Sequence, residues 1–394
     1  MKQGWEIKKL GDVLVKTETI DPSKKPNEEF TYLDVSSVNK ETKEIENATV
    51  LLGKDAPSRA RKLVRTNDVI FATVRPTHCR VALITEEYDE QVCSTGYFVL
   101  RGKEFIFNQY LFYFLFTNEF NEQMEKWQKG ASYPAVTDAE VKNILLRYPK
   151  SLPEQKRIVA ILDEAFATIA KAKANAQQNL QNAKELFESY LQGVFENKGA
   201  GWEEKTLKKV CEYEKTPHNK SDLPYVGLED IQSNSGLFIG TFEPKSVKST
   251  TFRFTNEHVL YGRLRPYLNK VLLPDFEGHC STEIFPIKPK KDVLDRTYLF
   301  HWLIATETMK KINATWTGAT LPRANMNTVL DFKLVVPPFK TQRTIVQKLD
   351  ALNAETKKLE SIYQQKINDL EELKKSVLQK AFAGELKTDK VVAV

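Results

Sequence analysis

Gln155-Lys156-Arg157-Ile158-Val159-Ala160-Ile161-Leu162-Asp163 returns later in the chain as Gln342-Arg343-Thr344-Ile345-Val346-Gln347-Lys348-Leu349-Asp350. Each copy opens a long segment whose apolar residues recur three or four apart, which puts them on one face of a helix. After the first copy the stripe runs through Ile158, Leu162, Ala165, Ile169, Ala172, Ala176, Leu180, Ala183, Phe187, Tyr190 and Val194. After the second it runs through Ile345, Leu349, Leu352, Thr356, Leu359, Tyr363, Ile367, Leu370, Val377 and Ala381. Both contain a doubled step of four, at Ala176–Leu180 and Tyr363–Ile367, a stutter that locally relaxes a supercoil. About 40 helical residues at 1.5 Å each make a rod of roughly 60 Å. A stripe that long cannot be buried within one small domain, so the two rods are expected to pair as an antiparallel coiled coil. The seam positions selected are Ile158, Leu162, Ile169, Leu180, Phe187, Ile345, Leu349, Leu359, Ile367 and Leu370.

Upstream of each rod the chain repeats as well. Gly4-Trp5-Glu6-x-Lys8-x-Leu10 returns as Gly201-Trp202-Glu203-x-Lys205-x-Leu207, and Val69-Ile70-Phe71 with Arg75-Pro76 as Val259-Leu260-Tyr261 with Arg265-Pro266. Cys93-Ser94-Thr95 matches Cys280-Ser281-Thr282, Tyr110-Leu111-Phe112 matches Tyr298-Leu299-Phe300, and Gly130-Ala131-x-x-Pro134 matches Gly318-Ala319-x-x-Pro322. The offset falls from 197 to 187 across the first hundred residues and then holds within a residue. That pattern is a duplicated domain rather than a solenoid of 20–50-residue repeats. The globular parts read as mixed strand and helix. Strands are expected at Val69–Val74, Val81–Ile84, Tyr97–Leu100 and Val271–Leu273, with one helix from an Asn108 cap to Gly130 and another over 295–312 capped by Asp295. Domains are therefore expected at 1–150 and 199–336, with helical spacers at 151–198 and 337–394, the latter including the tail.

Hydrophobic content of 41% and charged content of 28% suit a soluble protein, and no apolar run is long enough to span a bilayer. The N-terminal residues lack the apolar core of a signal peptide, and four dispersed cysteines suit a reducing cytoplasm. A net charge of +6 alone says little, but its distribution says more. Residues 54–80 carry seven Lys/Arg and residues 244–270 carry six, in corresponding places of the two repeats. A basic patch duplicated with its domain suits two contacts along one polyanion.

The same residues carry no catalytic pattern. Val336-Pro337-Pro338-Phe339 imitates the Pro-Pro-aromatic loop of amino-methyltransferases, but valine cannot accept a hydrogen bond from a target amine. No GxxxxGK[ST] phosphate loop is present, and the five histidines show no metal-ligand spacing. A binding role is expected. Its candidates lie in two loops per repeat: Arg75, Thr77, His78 and Arg80 with Lys129, Ser132 and Tyr133, and Arg263, Arg265, Tyr267, Asn269 and Lys270 with Thr317, Thr320 and Arg323. Arg and Lys suit phosphate or guanine, Asn suits adenine and Thr the thymine methyl. Similar frames with unlike tips would read two different short sequences.

Taken together, the chain resembles the specificity subunits of type I restriction–modification systems. The residues that carry the resemblance are Gly-Trp-x-x-x-x-Leu opening each domain, Gln-x-x-Ile-Val-x-x-Leu-Asp opening each spacer, and the closing Ala381-Phe382-Ala383-Gly384-Glu385-Leu386. Lys150-Ser151-Leu152-Pro153 and Lys340-Thr341 depart from the family's usual Pro-Pro and Pro-Glu at the spacer starts. The resemblance implies an α+β, pseudo-two-fold symmetric molecule. Two target recognition domains would each read half of a bipartite, asymmetric DNA site, and the helices would fix the gap. The resemblance also implies double-stranded DNA, two methyltransferase subunits and motor-nuclease subunits as partners. It implies no cofactor on this chain, with S-adenosylmethionine, ATP and magnesium used by the partners. Two rivals remain: a self-contained DNA methyltransferase or nuclease, and a coiled-coil scaffold that does not bind DNA.

Overall fold

The computed structural model describes residues 3–127, 134–197, 199–218, 222–318 and 320–386. The chain divides into two compact units, the first discontinuous in sequence and the second continuous. The first joins everything up to Asn175 with the chain from Lys366 onward, and the second spans Ala176–Gln365. Each unit thus contains one globular repeat and a part of both rods.

The globular repeats share one central strand frame and differ at the sheet edges. In the first, Trp5–Lys9 pairs antiparallel with Leu145–Pro149. Gly4 precedes that strand in a left-handed conformation open to glycine (φ 82°) and accepts the Lys150 N–H. Leu10 then turns into the core, its N–H on the Ile144 carbonyl. The second repeat does the same with Glu203–Thr206 on Lys333–Val336, Gly201 at φ 77°, and the Leu207 N–H on Phe332. This geometry accounts for the Gly-Trp-x-x-x-x-Leu pattern.

Val69–Ala72 lies between Val81–Leu83 and Tyr97–Leu100 in an antiparallel sheet. Its alternate residues face two cores, Val69 and Phe71 towards the helices and Ile70 and Ala72 towards a second sheet. A strand buried on both faces needs an unbroken apolar run, which is what stands there. The second sheet is ordered Thr49–Leu52, Glu29–Leu33, Val92–Ser94, Ala60–Leu63, with Glu29–Leu33 and Val92–Ser94 parallel. In the second repeat Val259–Gly262 takes the same central place, and Tyr225–Val226 runs parallel to Gly278–Ser281.

The single helix expected from Asn108 is two, Asn108–Phe114 and Asn118–Trp127. Phe107, not Asn108, is the residue before the first turn. Asn108 instead accepts the Gly102 N–H and donates to Asn67. Thr117 breaks the helix: its hydroxyl donates to the Phe114 carbonyl and accepts the Phe120 N–H. The counterpart also divides, into Arg296–Ile304 and Thr306–Asn313, with Asp295 capping the first through the N–H groups of Thr297 and Tyr298.

Both rods are continuous helices, Leu152–Glu196 and Phe339–Ala383. Within the first unit they run antiparallel: Lys173 pairs with Glu371, the Lys374 ammonium lies 5.0 Å from the Phe166 ring, and Leu162 shares a core with Leu378 and Phe382. Within the second unit Leu191 meets Leu349, with Phe187 and Ile345 alongside. Ile158, Leu162, Ile169 and Leu349 are buried, and Leu180, Phe187, Ile345, Ile367 and Leu370 are half-buried. Leu359 is exposed, and so is Tyr190, where the stripe steps four residues from Phe187 to buried Leu191 instead of three. A straight helix drifts relative to a strict seven-residue pattern, so a stripe followed by alternating threes and fours leaves the seam away from the stutter.

The rod ends are fastened in the same way in each unit. Phe382, near the end of the second rod, packs 4.7 Å from Tyr110 and 5.9 Å from Phe114. Phe195, its counterpart 187 positions earlier, packs edge-on to Tyr298 at 5.2 Å. Each rod start is fastened by the glutamine of the repeated motif. The buried Gln155 amide accepts the Phe107 N–H and donates to the carbonyls of Phe105 and Pro149. Gln342 accepts the Asp295 N–H and donates to Val293 and Pro337. Three loop groups that would otherwise be orphaned are satisfied by one side chain.

Candidate nucleic-acid interface

Just past each central strand the chain makes an unusual turn. Arg75 (φ 50°, ψ 57°) and Arg265 (φ 52°, ψ 61°) are left-handed, as are Cys79 and Asn269 four residues later. Between them Pro76–His78 and Pro266–Leu268 form single tight helical turns. Left-handed geometry in a residue with a side chain costs roughly 1–2 kcal/mol, and it occurs here at both arginines. The surroundings hold it. Arg75 donates its N–H to Pro134 at 2.7 Å, and Arg265 donates its own to Pro322 at 2.7 Å. The two candidate loops of each repeat are therefore joined backbone to backbone.

The tips differ. In the first repeat Arg75, Thr77 and His78 are exposed, while Lys129, Ser132 and Tyr133 lie outside the described residues. In the second, Arg265, Tyr267, Thr317 and Thr320 are exposed. Tyr267 and Trp316 stand edge to face at 6.1 Å on the surface. Arg263 and Arg323 both contact Glu283, a residue that the motif comparison did not single out because the first repeat has Gly96 in its place.

Asn269, expected to reach an adenine, does not stand at the tip. It is 4% exposed and donates its amide to the Ile304 carbonyl, closing the turn against a helix end. Arg80 and Lys270 occupy matching places and act as clamps, donating to the carbonyls of Val38 and Leu228. The basic windows also shrink once folded: Arg61, Lys62 and Arg65 face Asp21, Asp138 and Glu18. Charge counted along the sequence overstated the exposed patch, because three of the seven cations in the first window meet carboxylates distant in sequence.

The remaining titratable groups support the frame. Burial pushes the Cys93 and Cys211 thiols up to about 12, far from a reactive thiolate. His279 bridges the Thr251 hydroxyl and the Lys245 carbonyl, which accounts for the His279-Cys280 pair. Among the described residues no group of three His, Cys, Asp or Glu could hold a metal ion, and no helix is long and apolar enough to cross a membrane.

Known proteins share the fold of this chain. The family model described as the type I restriction modification DNA specificity domain matches residues 2–181 and again 199–372. The type I restriction enzyme EcoDI specificity subunit of Escherichia coli is 25% identical over 296 residues, 66% of this chain and 66% of that one. The StySPI specificity subunit of Salmonella potsdam is 23% identical over 327 residues, 75% and 69% of the two chains. The chain thus spans slightly under two thirds of the first relative and slightly more of the second. The crystal structure of the HsdS subunit from Thermoanaerobacter tengcongensis matches with a TM-score of 0.69 at 27% identity, over 98% of both chains. A chain from a structure described by the complex assembly and conformational transition of the type I R-M system matches with a TM-score of 0.82 at 26% identity, over 98% and 99%. With the family's domain matched twice and its whole-chain fold reproduced, this chain belongs to the specificity subunits of the type I restriction–modification family.

Proposed function

We propose that the chain is the DNA sequence-recognition subunit of a type I restriction–modification complex, with residues 1–150 and 199–336 each reading one half of a bipartite site. The observation that carries this is the duplicated left-handed arginine turn, clipped to its neighbouring loop by the same 2.7 Å bond in both repeats but bearing unlike exposed side chains. A shared frame with different tips supports two half-sites of different sequence. Arg75, Thr77 and His78 on one side, with Arg265, Tyr267, Thr317 and Thr320 on the other, are the contacts this reading selects. The exposed Tyr267–Trp316 pair suits stacking on a sugar or a splayed base.

In this reading the spacers at 151–198 and 337–394 set the gap between half-sites and dock two methyltransferase subunits, and motor-nuclease subunits complete the complex. S-adenosylmethionine, ATP and magnesium belong to those partners, and the chain works in the cytoplasm, where its four free thiols are stable. The test is a modified-base map of DNA from cells with and without this chain, the cognate methyltransferase subunit being supplied in both. A split motif that depends on the chain is the expected result. An unchanged map with both proteins expressed would refute recognition. Inserting four residues into both spacers is expected to change the gap and leave the half-sites intact; an unaltered gap would refute the ruler role.

A further inference from the structure

The most informative difference between the two tips is a cluster of three charged side chains present in one repeat only. In the first repeat the positions beside the turn are Thr73, Gly96 and Ala135; in the second they are Arg263, Glu283 and Arg323. The backbone is the same in both. Thr73 donates its N–H to Gly96 and Arg263 to Glu283, while Val136 and Ala324 donate to the carbonyls of Thr73 and Arg263. Val74 bridges Ala135 as Leu264 bridges Arg323. Only the side chains differ.

Glu283 organises the cluster. Arg263 donates Nε to its Oε2 at 2.8 Å, and Arg323 donates Nε to Oε1 and Oε2 at 3.0 and 3.2 Å. The Arg263 guanidinium also lies 5.5 Å from the Phe285 ring. Burial would raise the Glu283 carboxyl, but its hydrogen bonds to the two guanidiniums outweigh that and hold it below the usual range. The carboxylate is 22% exposed, Arg263 33% and Arg323 39%, so the charge lies beneath and the forks above. Because each arginine is gripped through Nε, its planar Nη edge keeps a set orientation. Arg323 Nη1 also reaches the Leu321 carbonyl at 3.4 Å. The cluster keeps a net charge of +1, and its outer guanidinium edges are donors, so they suit an acceptor edge. Phosphate and the guanine O6/N7 pair both qualify. An arginine held by a carboxylate favours the second, since bidentate reading needs a fixed plane and attraction to phosphate does not.

We propose that Arg323 reads a guanine in the half-site of the second domain, with Glu283 and Arg263 as its positioning residues, a determinant that the first domain lacks. This rests on the recognition reading above.

The experiment uses the full chain assembled with its methyltransferase subunits, and affinity for DNA carrying each single base change in both half-sites. Wild type should discriminate at a G·C pair in the second half-site. Arg323→Lys keeps the charge but loses the fork, and should reduce discrimination at that pair by roughly 5- to 150-fold while first-half-site discrimination stays intact. Glu283→Gln should relax the same position, by less. A second half-site without guanine on either strand overturns the inference. So does an Arg323→Lys variant that discriminates as wild type does, or an Arg323→Ala variant that weakens all sequences equally with a shallower salt dependence, the sign of a phosphate contact. Wild-type protein with no sequence preference would overturn the recognition reading itself, a separate outcome. Retained reading of the first half-site is the control for folding.

Discussion

The two halves of this molecule agree in their anchors and disagree in their tips. Gln155 and Gln342 make the same three hydrogen bonds at the rod starts, and Phe382 and Phe195 fill equivalent places in the helix cores. At the tips the agreement ends: the Arg263–Glu283–Arg323 cluster stands where the first repeat has Thr73, Gly96 and Ala135. The difference is physical. A buried anchor must satisfy backbone groups in one fixed geometry, so few residues will serve. An exposed tip answers only to what it touches.

The strongest way to break the comparison is at the anchors. Gln155→Leu and Gln342→Leu each strip partners from three loop groups and should each cost ~3–9 kcal/mol in denaturant unfolding, at about 1–3 per orphaned group. A loss below about 1 kcal/mol at either site would mean that the glutamines are not the fasteners. Phe382→Ala should follow at ~3–5 kcal/mol. Phe195→Ala should cost less, because Phe195 is half-buried where Phe382 is buried. Equal losses would erase that asymmetry.

Arg75→Gly and Arg265→Gly separate fold from function. Glycine accepts the left-handed turn without penalty, so stability should hold or rise by up to about 1 kcal/mol. DNA affinity through the matching half-site should fall by ~1–3 kcal/mol if the side chain reads a guanine edge. Destabilisation in either variant would show that the arginine side chain holds the turn, rather than being displayed by it.

The smallest effect concerns pH. His301 Nε2 lies 3.1 Å from Asp350, where the first repeat has Tyr113 donating to Asp163. Burial holds the His301 imidazole below its ordinary 6.5, against the opposing pull of Asp350. The unfolded chain therefore takes up this proton first. The stability it contributes is present above pH 6.5 and declines as pH falls through that value towards the folded pKa. Burial raises Tyr113 instead, so it stays protonated over that range and adds no such slope. Urea melts at pH 7.5 and 5.5 should show the loss in wild type and a smaller one in His301→Gln. Identical slopes would dismiss the histidine as the source.

Much of this was legible in the residues. The repeat, the rods, their antiparallel pairing within each unit and the double placement of the arginine turn all follow from spacing, because helix and strand periodicities are properties of the chain itself. The break at Thr117 was not, since a hydroxyl that bonds its own helix looks like any other threonine until the backbone is seen. Asn269 misled for a related reason. Its residue type suits a base edge, but its left-handed place at the end of the turn sends it inward.

By itself the sequence determined that there are two alike domains and two helical rods, since duplication and period are written in residue order. Only the tertiary structure decided which cations are displayed and which are spoken for. Arg80, Lys62 and Lys270 end on carbonyls or carboxylates far away in the chain, Arg265 is exposed at its turn, and Glu283 gathers two arginines 20 and 40 residues away. Those partners meet by folding, and a charge is tamed or presented by its neighbours in space.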